Sequence, residues 1–373
     1  MIEIRSLETI FKKELGWHGA RINFLSNFVS ALLKVKTICL TEIATAFTGN
    51  AKKESKYKRL QRFFKSFELD YRQIAILLAQ MLPIKNESWV LSMDRTNWKL
   101  GKLNINVIFI GVAYIGISFP LFWVSLPKRG NSNTDERKDI IDKFLSVFGI
   151  AKIKCLTADR EFIGYEWFSY LIGKNINFCI RIKEGFKVIS SKGNEVAVKV
   201  LFRNLKRGES SILSGKRLIC GVKLFIIALR LENGEYVILV TNKKPELAIE
   251  YYKMRWEIET LFACLKTRGF NFESTHITKL DRINKLVALL AITFCWCHIV
   301  GEWLNEQKPI KIKKHGRKAI SIFRYGFDCL REVIFNLSRN IAKFKKLIRL
   351  LEYQISKGAS LLLLCTQNFL SCT

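Results

Sequence analysis

The chain has 373 residues and a formal net charge of +30, from 62 Lys and Arg against 32 Asp and Glu. That excess sets aside an ordinary near-neutral enzyme and points to a polyanionic partner, most simply nucleic acid. Apolar residues at 49% are enough for a real core, so the length allows two or three domains or one core with additions.

Ten cysteines are scattered without C-x-x-C pairs, and Cys295 and Cys297 stand too close for the usual zinc spacing. They read as small buried groups or free thiols in a reducing cytoplasm. Glu3, Glu8 and Glu14 contradict the basic-then-apolar layout of a signal peptide. Residues 286–304 are apolar enough to raise a membrane span. His298, Gly301 and Glu302 favour a helix buried in protein, and no membrane partner is expected.

Residues 1–85 read as helical, with apolar positions recurring over 22–33, 40–47 and 71–82. A basic stretch (Lys52, Lys53, Lys56, Lys58, Arg59, Arg62, Lys65) precedes the last of these. The pattern suits a helix-turn-helix-like DNA reader and equally an ordinary helical cap. At Ser88 the texture changes. A short apolar run over 89–93 ends in Asp94, and β-rich segments follow over 104–115 and 117–126, broken at Gly116. A helix begins at Thr134-Asp135-Glu136, runs to Phe148 and stops at Gly149. A strand over 153–158 ends in Asp159; a helix over 164–172 and a strand over 177–182 follow. Residues 186–243 alternate short β-type runs with turns at Lys192-Gly193, Arg207-Gly208 and Asn233-Gly234, which predicts a β-rich insertion.

The stretch 251–269 predicts one helix capped at Gly269. On it Tyr252, Arg255, Glu259 and Lys266 fall within roughly 60° of one another, while Ile258, Leu261, Phe262 and Leu265 form a separate core-facing stripe. After a long apolar helix over 281–304, residues 305–350 carry 13 Lys and Arg against 3 acids. Their interleaved aromatics suit phosphate-backbone contact, a reading favoured over a solvated charged face with no partner. The tail 359–373 is apolar and has no functional reading.

Taken singly, Asp94 and Asp159 are more readily turn residues, or surface partners of Arg95 and Arg160, than ligands. Glu161 and Glu257 are acids on neighbouring positions. Taken together, M-D-R-T-N-W at Asp94, A-D-R-E-F at Asp159 and Y-(2)-R-(3)-E-(6)-K from Tyr252 to Lys266 form a set. That set resembles the three motifs of the YREK group of bacterial insertion-sequence transposases, members of the DDE superfamily. The stretch 317–326 resembles the C-terminal part of many members.

The resemblance implies a mixed α/β fold: a ribonuclease-H-like core with a β-rich insertion, flanked by helical N- and C-terminal regions. It divides the chain into a DNA-binding region (1–85), a catalytic core (86–185 and 244–304), the insertion (186–243) and a basic helical C-terminal region (305–373). Asp94, Asp159 and Glu259 are then the catalytic carboxylates that hold Mg²⁺, with Mn²⁺ able to substitute. Tyr252, Arg255 and Lys266 would contact DNA phosphates, and Trp256 would support the same DNA or simply pack. The implied activity is cleavage at inverted-repeat ends and joining to target DNA, through a hairpin at the ends. The partners are double-stranded DNA ends and target, bound by a homodimer in the bacterial cytoplasm at the nucleoid. Some members stack the flipped base on an insertion tryptophan, which this insertion lacks; either Phe186, Phe202, Phe225 or Tyr236 substitutes for it or the hairpin step differs. The competing readings are a DNA-binding protein without catalysis and a nuclease or resolvase on the same core.

Overall fold

A computed structural model describes residues 2–84, 88–100, 103–190, 193–314, 316 and 318–370, the side chains of 361 and 363–370 excepted. Lys192 of the expected turn, Arg317 at the head of the basic C-terminal stretch and most tail side chains lie outside the described residues. In chain order the helices and strands are α1 (Ile2–Glu14), α2 (Gly19–Val35), α3 (Leu40–Ala46), α4 (Lys53–Ser66), α5 (Tyr71–Gln80), β1 (Trp89–Leu100), β2 (Leu103–Tyr114), β3 (Ile117–Leu126), α6 (Thr134–Phe148), β4 (Ile153–Ala158), α7 (Tyr165–Gly173) and β5 (Phe178–Ile182). They continue with β6 (Lys187–Ile189), β7 (Glu195–Ala197), β8 (Ser210–Ile212), β9 (Arg217–Ile219), β10 (Val222–Arg230), β11 (Tyr236–Thr241), α8 (Ala248–Arg255), α9 (Glu257–Leu265), α10 (Leu280–Gln307), α11 (Ile322–Phe335) and α12 (Ile341–Leu370). Two compact units result, one of Met1–Lys85, Asn97–Asn106 and Leu261–Thr373, the other of Asn86–Thr96 and Val107–Thr260.

The second unit carries a mixed sheet in the order β3-β2-β1-β4-β5-β11-β10-β8, with β9 on β10. β1 pairs in parallel with β4, and β4 in parallel with β5. The order 3-2-1-4-5 of the first five strands is that of the ribonuclease-H-like core expected above. The insertion is no separate layer: β11 pairs antiparallel with β5, so its two long strands extend the same sheet. α6 starts where the sequence places it, because Asn133 and Glu136 close a capping box on each other's amides.

The first unit is helical. α10 is long and apolar enough to cross a membrane, but its apolar window is buried inside the protein, against α11, α12, α2, α5 and α4. Its tightest neighbour is α11. A Cβ built on Gly326 would lie 1.8 Å from the Cys297 carbonyl oxygen and 2.5 Å from the Gly301 amide. The two helices therefore touch backbone to backbone, which only glycine permits. Gly326→Ala is expected to force them apart and destabilise the protein by about 3 kcal/mol. A fall of several degrees in Tm for that variant, against little change for Gly16→Ala in open space, checks this.

Candidate active site

β1 and β4 set the two aspartates side by side. Their register runs to Met93 opposite Ala158, so Asp94 and Asp159 occupy the next position on adjacent parallel strands. Asp159 follows the end of β4 as expected. Asp94, however, does not close a strand: β1 continues to Leu100, because it outlasts its β4 partner and stays paired with β2.

α8 lies on this part of the sheet. Its Ala248, Tyr251 and Tyr252 are buried in one cluster with Cys155 of β4 and Cys179 of β5. The Tyr252 hydroxyl donates to Asp159 Oδ1 at 3.3 Å, and burial pushes its pKa up to about 12. One turn on, Arg255 is 1% exposed, and its guanidinium joins two acids. Nη1 donates to Asp94 Oδ2 at 3.1 Å and Nη2 to Glu259 Oε1 at 3.0 Å. The guanidinium also lies 5.5 Å from the Tyr252 ring centroid and 4.7 Å from that of Trp256. Burial alone would lower its pKa, but Tyr252, Asp94, Asp159 and Glu259 raise it above the ordinary arginine value. Asp94 is pushed up to about 6, chiefly by burial, against the pull of the Arg95 amide and Arg255.

The expected single helix over 251–269 is broken. Trp256 interrupts it, with a short-range bond from the Glu259 amide to its carbonyl, and α9 ends at Leu265. Trp256 is left 53% exposed at the break. Beyond Leu265 the chain turns, with the Arg268 amide on the Ala263 carbonyl and the Phe270 amide on that of Cys264. Lys266 sits in that turn, in the helical unit. It donates to the Asn97 carbonyl at 2.9 Å and pairs with Glu273 at 3.7 Å, and burial lowers its pKa. The four motif residues therefore do not share one helix flank. Tyr252 and Arg255 point into the sheet and its carboxylates rather than outward, because a guanidinium this close to three acids is held by them. Gly269 is not a left-handed cap. It is required because a Cβ there would lie 2.1 Å from the Cys264 carbonyl.

Two acids beside the candidate ligands carry structural bonds that the sequence did not announce. Glu161 pairs with Arg95 at 3.0 Å. Glu257, at the first position of α9, accepts the Gly116 amide at 2.8 Å. It thereby holds the β2–β3 turn, where Ile115 and Gly116 both have positive φ (43° and 86°). Burial raises Glu257 from its ordinary 4.5 to about 7. A carboxyl whose folded pKa is raised contributes stability below its unfolded pKa and loses it as pH rises through the folded one. Without divalent ions, the stability of Glu257→Gln relative to the parent is therefore expected to rise between pH 4.5 and about 7, then level off. Thermal melts across that range in chelator check the sign.

The donor set of Asp94, Asp159 and Glu259 is all carboxylate oxygen, the chemistry that suits a hard divalent cation. Among the described residues, however, no three His, Cys, Asp or Glu side chains converge closely enough to hold an ion. The acids are turned to Arg255 and Tyr252 instead. The fit is one of chemistry and of neighbourhood in the sheet.

The transposase DDE domain family matches residues 87–296. No curated protein sequence matches the chain. Among solved structures, a cryo-EM structure of a piggyBac transposase synaptic complex with hairpin DNA aligns at 12% identity with a TM-score of 0.43, over 95% of this chain and 83% of that one. The family match takes in more than half of the chain and every residue of the Asp94, Asp159 and Glu259 set, and the chain belongs to the transposase DDE domain family.

Proposed function

We propose that the protein is a cut-and-paste DNA transposase of a bacterial insertion sequence, of the YREK group, acting in the cytoplasm at the nucleoid. The observation that carries this reading is the register of Asp94 and Asp159 on adjacent parallel strands under α8, whose Tyr252 and Arg255 reach them and lead on to Glu259. DDE transposases use divalent metal ions; here Asp94, Asp159 and Glu259 would hold them, with Mg²⁺ the expected ion and Mn²⁺ a substitute. When bound, such ions supply activation of the attacking hydroxyl and stabilisation of the leaving oxygen. Tyr252 fixes Asp159, and Arg255 fixes Asp94 and Glu259 relative to each other. Both cations, Arg255 and Lys266, would turn to phosphate as DNA arrives. A homodimer that pairs two inverted-repeat ends completes the scheme.

Release of the ends through a hairpin needs an aromatic ring for a flipped base. In the insertion Phe202 is buried, the Phe225 ring faces Lys216, and the Tyr236 hydroxyl is bonded to the Phe202 carbonyl with Arg230 over its ring. Phe186 is partly buried, and Trp256, 53% exposed although Arg255 lies over its ring, is the more accessible ring for that task and for DNA support.

The basic residues of α4 support the N-terminal region as a DNA contact. Arg59 turns inward, onto the Ala20 carbonyl and Asn23 Oδ1. Lys58, Arg62 and Lys65 instead line an open groove of about 550 Å³ with Ser55, Gln61 and Arg282 of α10, and no acid is among its walls. Replacing Lys58, Arg62 and Lys65 by alanine is expected to weaken DNA binding and lower the slope of log K against log salt by roughly 1 per residue. Fluorescence anisotropy over a salt series measures it.

The test of the whole reading is a labelled duplex spanning one end of the element, incubated with Mg²⁺ or Ca²⁺. Cutting at the boundary with Mg²⁺ supports it, and a hairpin product supports the release route. Tight binding with no cutting under any divalent ion would move the protein to a DNA-binding role without catalysis.

A further inference from the structure

The two strand ends that carry the aspartates are tied by a second pair of residues. Arg95 follows Asp94 and Glu161 lies just past Asp159. Arg95 Nε donates to Glu161 Oε1 at 3.2 Å and Nη2 to Oε2 at 3.0 Å, a two-pronged fork. Such parallel bonds fix orientation as well as distance, which a lysine at the same place does not. The pair is sheltered, with side-chain exposures of 14% and 19%, so solvent screens it less than a surface pair.

The fork is anchored at both ends. On the β1 side, the Arg95 amide donates to Asp94 Oδ1 at 2.7 Å, so the residue that grips Glu161 also orients the Asp94 carboxylate. On the β4 side, the Phe162 amide closes a turn onto the Asp159 carbonyl at 3.0 Å. Arg137 of α6 donates to the Glu161 carbonyl at 3.0 Å, is held by Ser132, and lies over the Phe162 ring. Asp159 lies beyond the last paired residue of β4, so sheet hydrogen bonds do not fix it. The turn does, and Glu161 fastens that turn to β1.

We propose that Arg95 and Glu161 are positioning residues whose ion pair clasps the turn after β4 to β1 and so sets the Asp94 and Asp159 carboxylates relative to each other. The inference rests on those aspartates being the catalytic pair. Neither Arg95 nor Glu161 is asked to touch DNA or a metal ion.

The experiment compares the full chain with Arg95→Gln, Glu161→Gln, the double variant and Arg95→Lys. The measurements are Mn²⁺ binding by electron paramagnetic resonance, kcat and KM for end cleavage, DNA affinity and Tm. Each glutamine variant should lose about 10–100-fold in Mn²⁺ affinity and kcat, the range found when a residue that orients metal ligands is removed. KM and DNA affinity should stay within about twofold. The double variant should be no worse than either single one, because both singles break the same bond. Arg95→Lys, which keeps the charge and folds most readily, should show the same loss in smaller measure. Additive losses in the double variant would overturn the clasp. So would variants that shift Tm or DNA affinity while Mn²⁺ affinity and kcat stay at the parental level. If the parent cuts DNA and only the clasp variants behave as parent, the inference falls and the transposase reading stands. If the parent neither binds Mn²⁺ nor cuts, both fall.

Discussion

Glu259→Gln is expected to abolish DNA cutting while leaving end binding and folding close to parental. On the proposed reading Glu259 holds a metal ion, and loss of such a carboxylate removes several kcal/mol of transition-state stabilisation, which is on the order of 10³-fold or more in rate. Asp94→Asn and Asp159→Asn should be as severe in cutting, but the three differ in what else they disturb. The Glu259 side chain is 46% exposed, so water replaces its bond to Arg255 when the charge is removed. Asp94 has 17% exposure and is the more sheltered partner of a guanidinium that is itself 2% exposed, but burial pushes its pKa up to about 6, so relief of its buried charge offsets the lost Arg255 bond and Asp94→Asn should not lower Tm near neutral pH. Asp159 faces the Tyr252 hydroxyl, which an asparagine oxygen still accepts, so stability should hold there. The measurement is single-turnover cleavage of a labelled end beside a melt of each variant. Residual cutting within tenfold of the parent by Glu259→Gln would remove that residue from the catalytic set.

The parts of the molecule that were legible in the sequence are those fixed by short-range chemistry. β4 and α6 fall where an apolar run and capping residues place them, while the adjacency of β1 and β4 was implied by the family resemblance and not by the succession of strand and helix patterns. Asp94 and Asp159 were singled out because each follows an apolar run in a motif that resembles those of the family. What was not legible depends on contacts far along the chain. Arg255 meets Asp94 across 161 positions, and a helical projection shows it only as one more charge on a polar flank. That projection also assumes an unbroken helix, so it could not reveal the break at Trp256 or place Lys266 in a turn. The same limit hid Glu161 and Glu257, whose partners lie on β1 and in the β2–β3 turn. It also hid Arg59, which the sequence groups with α4 residues that line the open groove. The extension of the core sheet by β11 and β10 was missed for a related reason: hairpin signals fix a strand's neighbour in the chain, not its neighbour in space.

Arg255→Ala is expected to destabilise the sheet-bearing unit strongly, and the size follows from which of its two acids dominates. Removing one partner of a fully buried ion pair costs about 3–5 kcal/mol, because the other charge is left without compensation. An exposed pair is worth about 0–1 kcal/mol. Arg255 joins one acid of each kind: Asp94, sheltered and already pushed up to about 6 by burial, and Glu259, nearly half exposed. Asp94 should therefore carry most of the coupling, and the whole loss should come to about 3 kcal/mol, with the cavity left between the Tyr252 and Trp256 rings included. Lysine at this position keeps a charge but cannot reach both acids at once, so Arg255→Lys should recover only part of it. Two double-mutant cycles, Arg255→Ala with Asp94→Asn and Arg255→Ala with Glu259→Gln, separate the terms. Coupling above about 1.5 kcal/mol to Asp94 and below about 1 kcal/mol to Glu259 is the expected result. Equal couplings would mean that the guanidinium is screened alike on both sides, and that the sheltered Asp94 contact does not anchor α8 to β1.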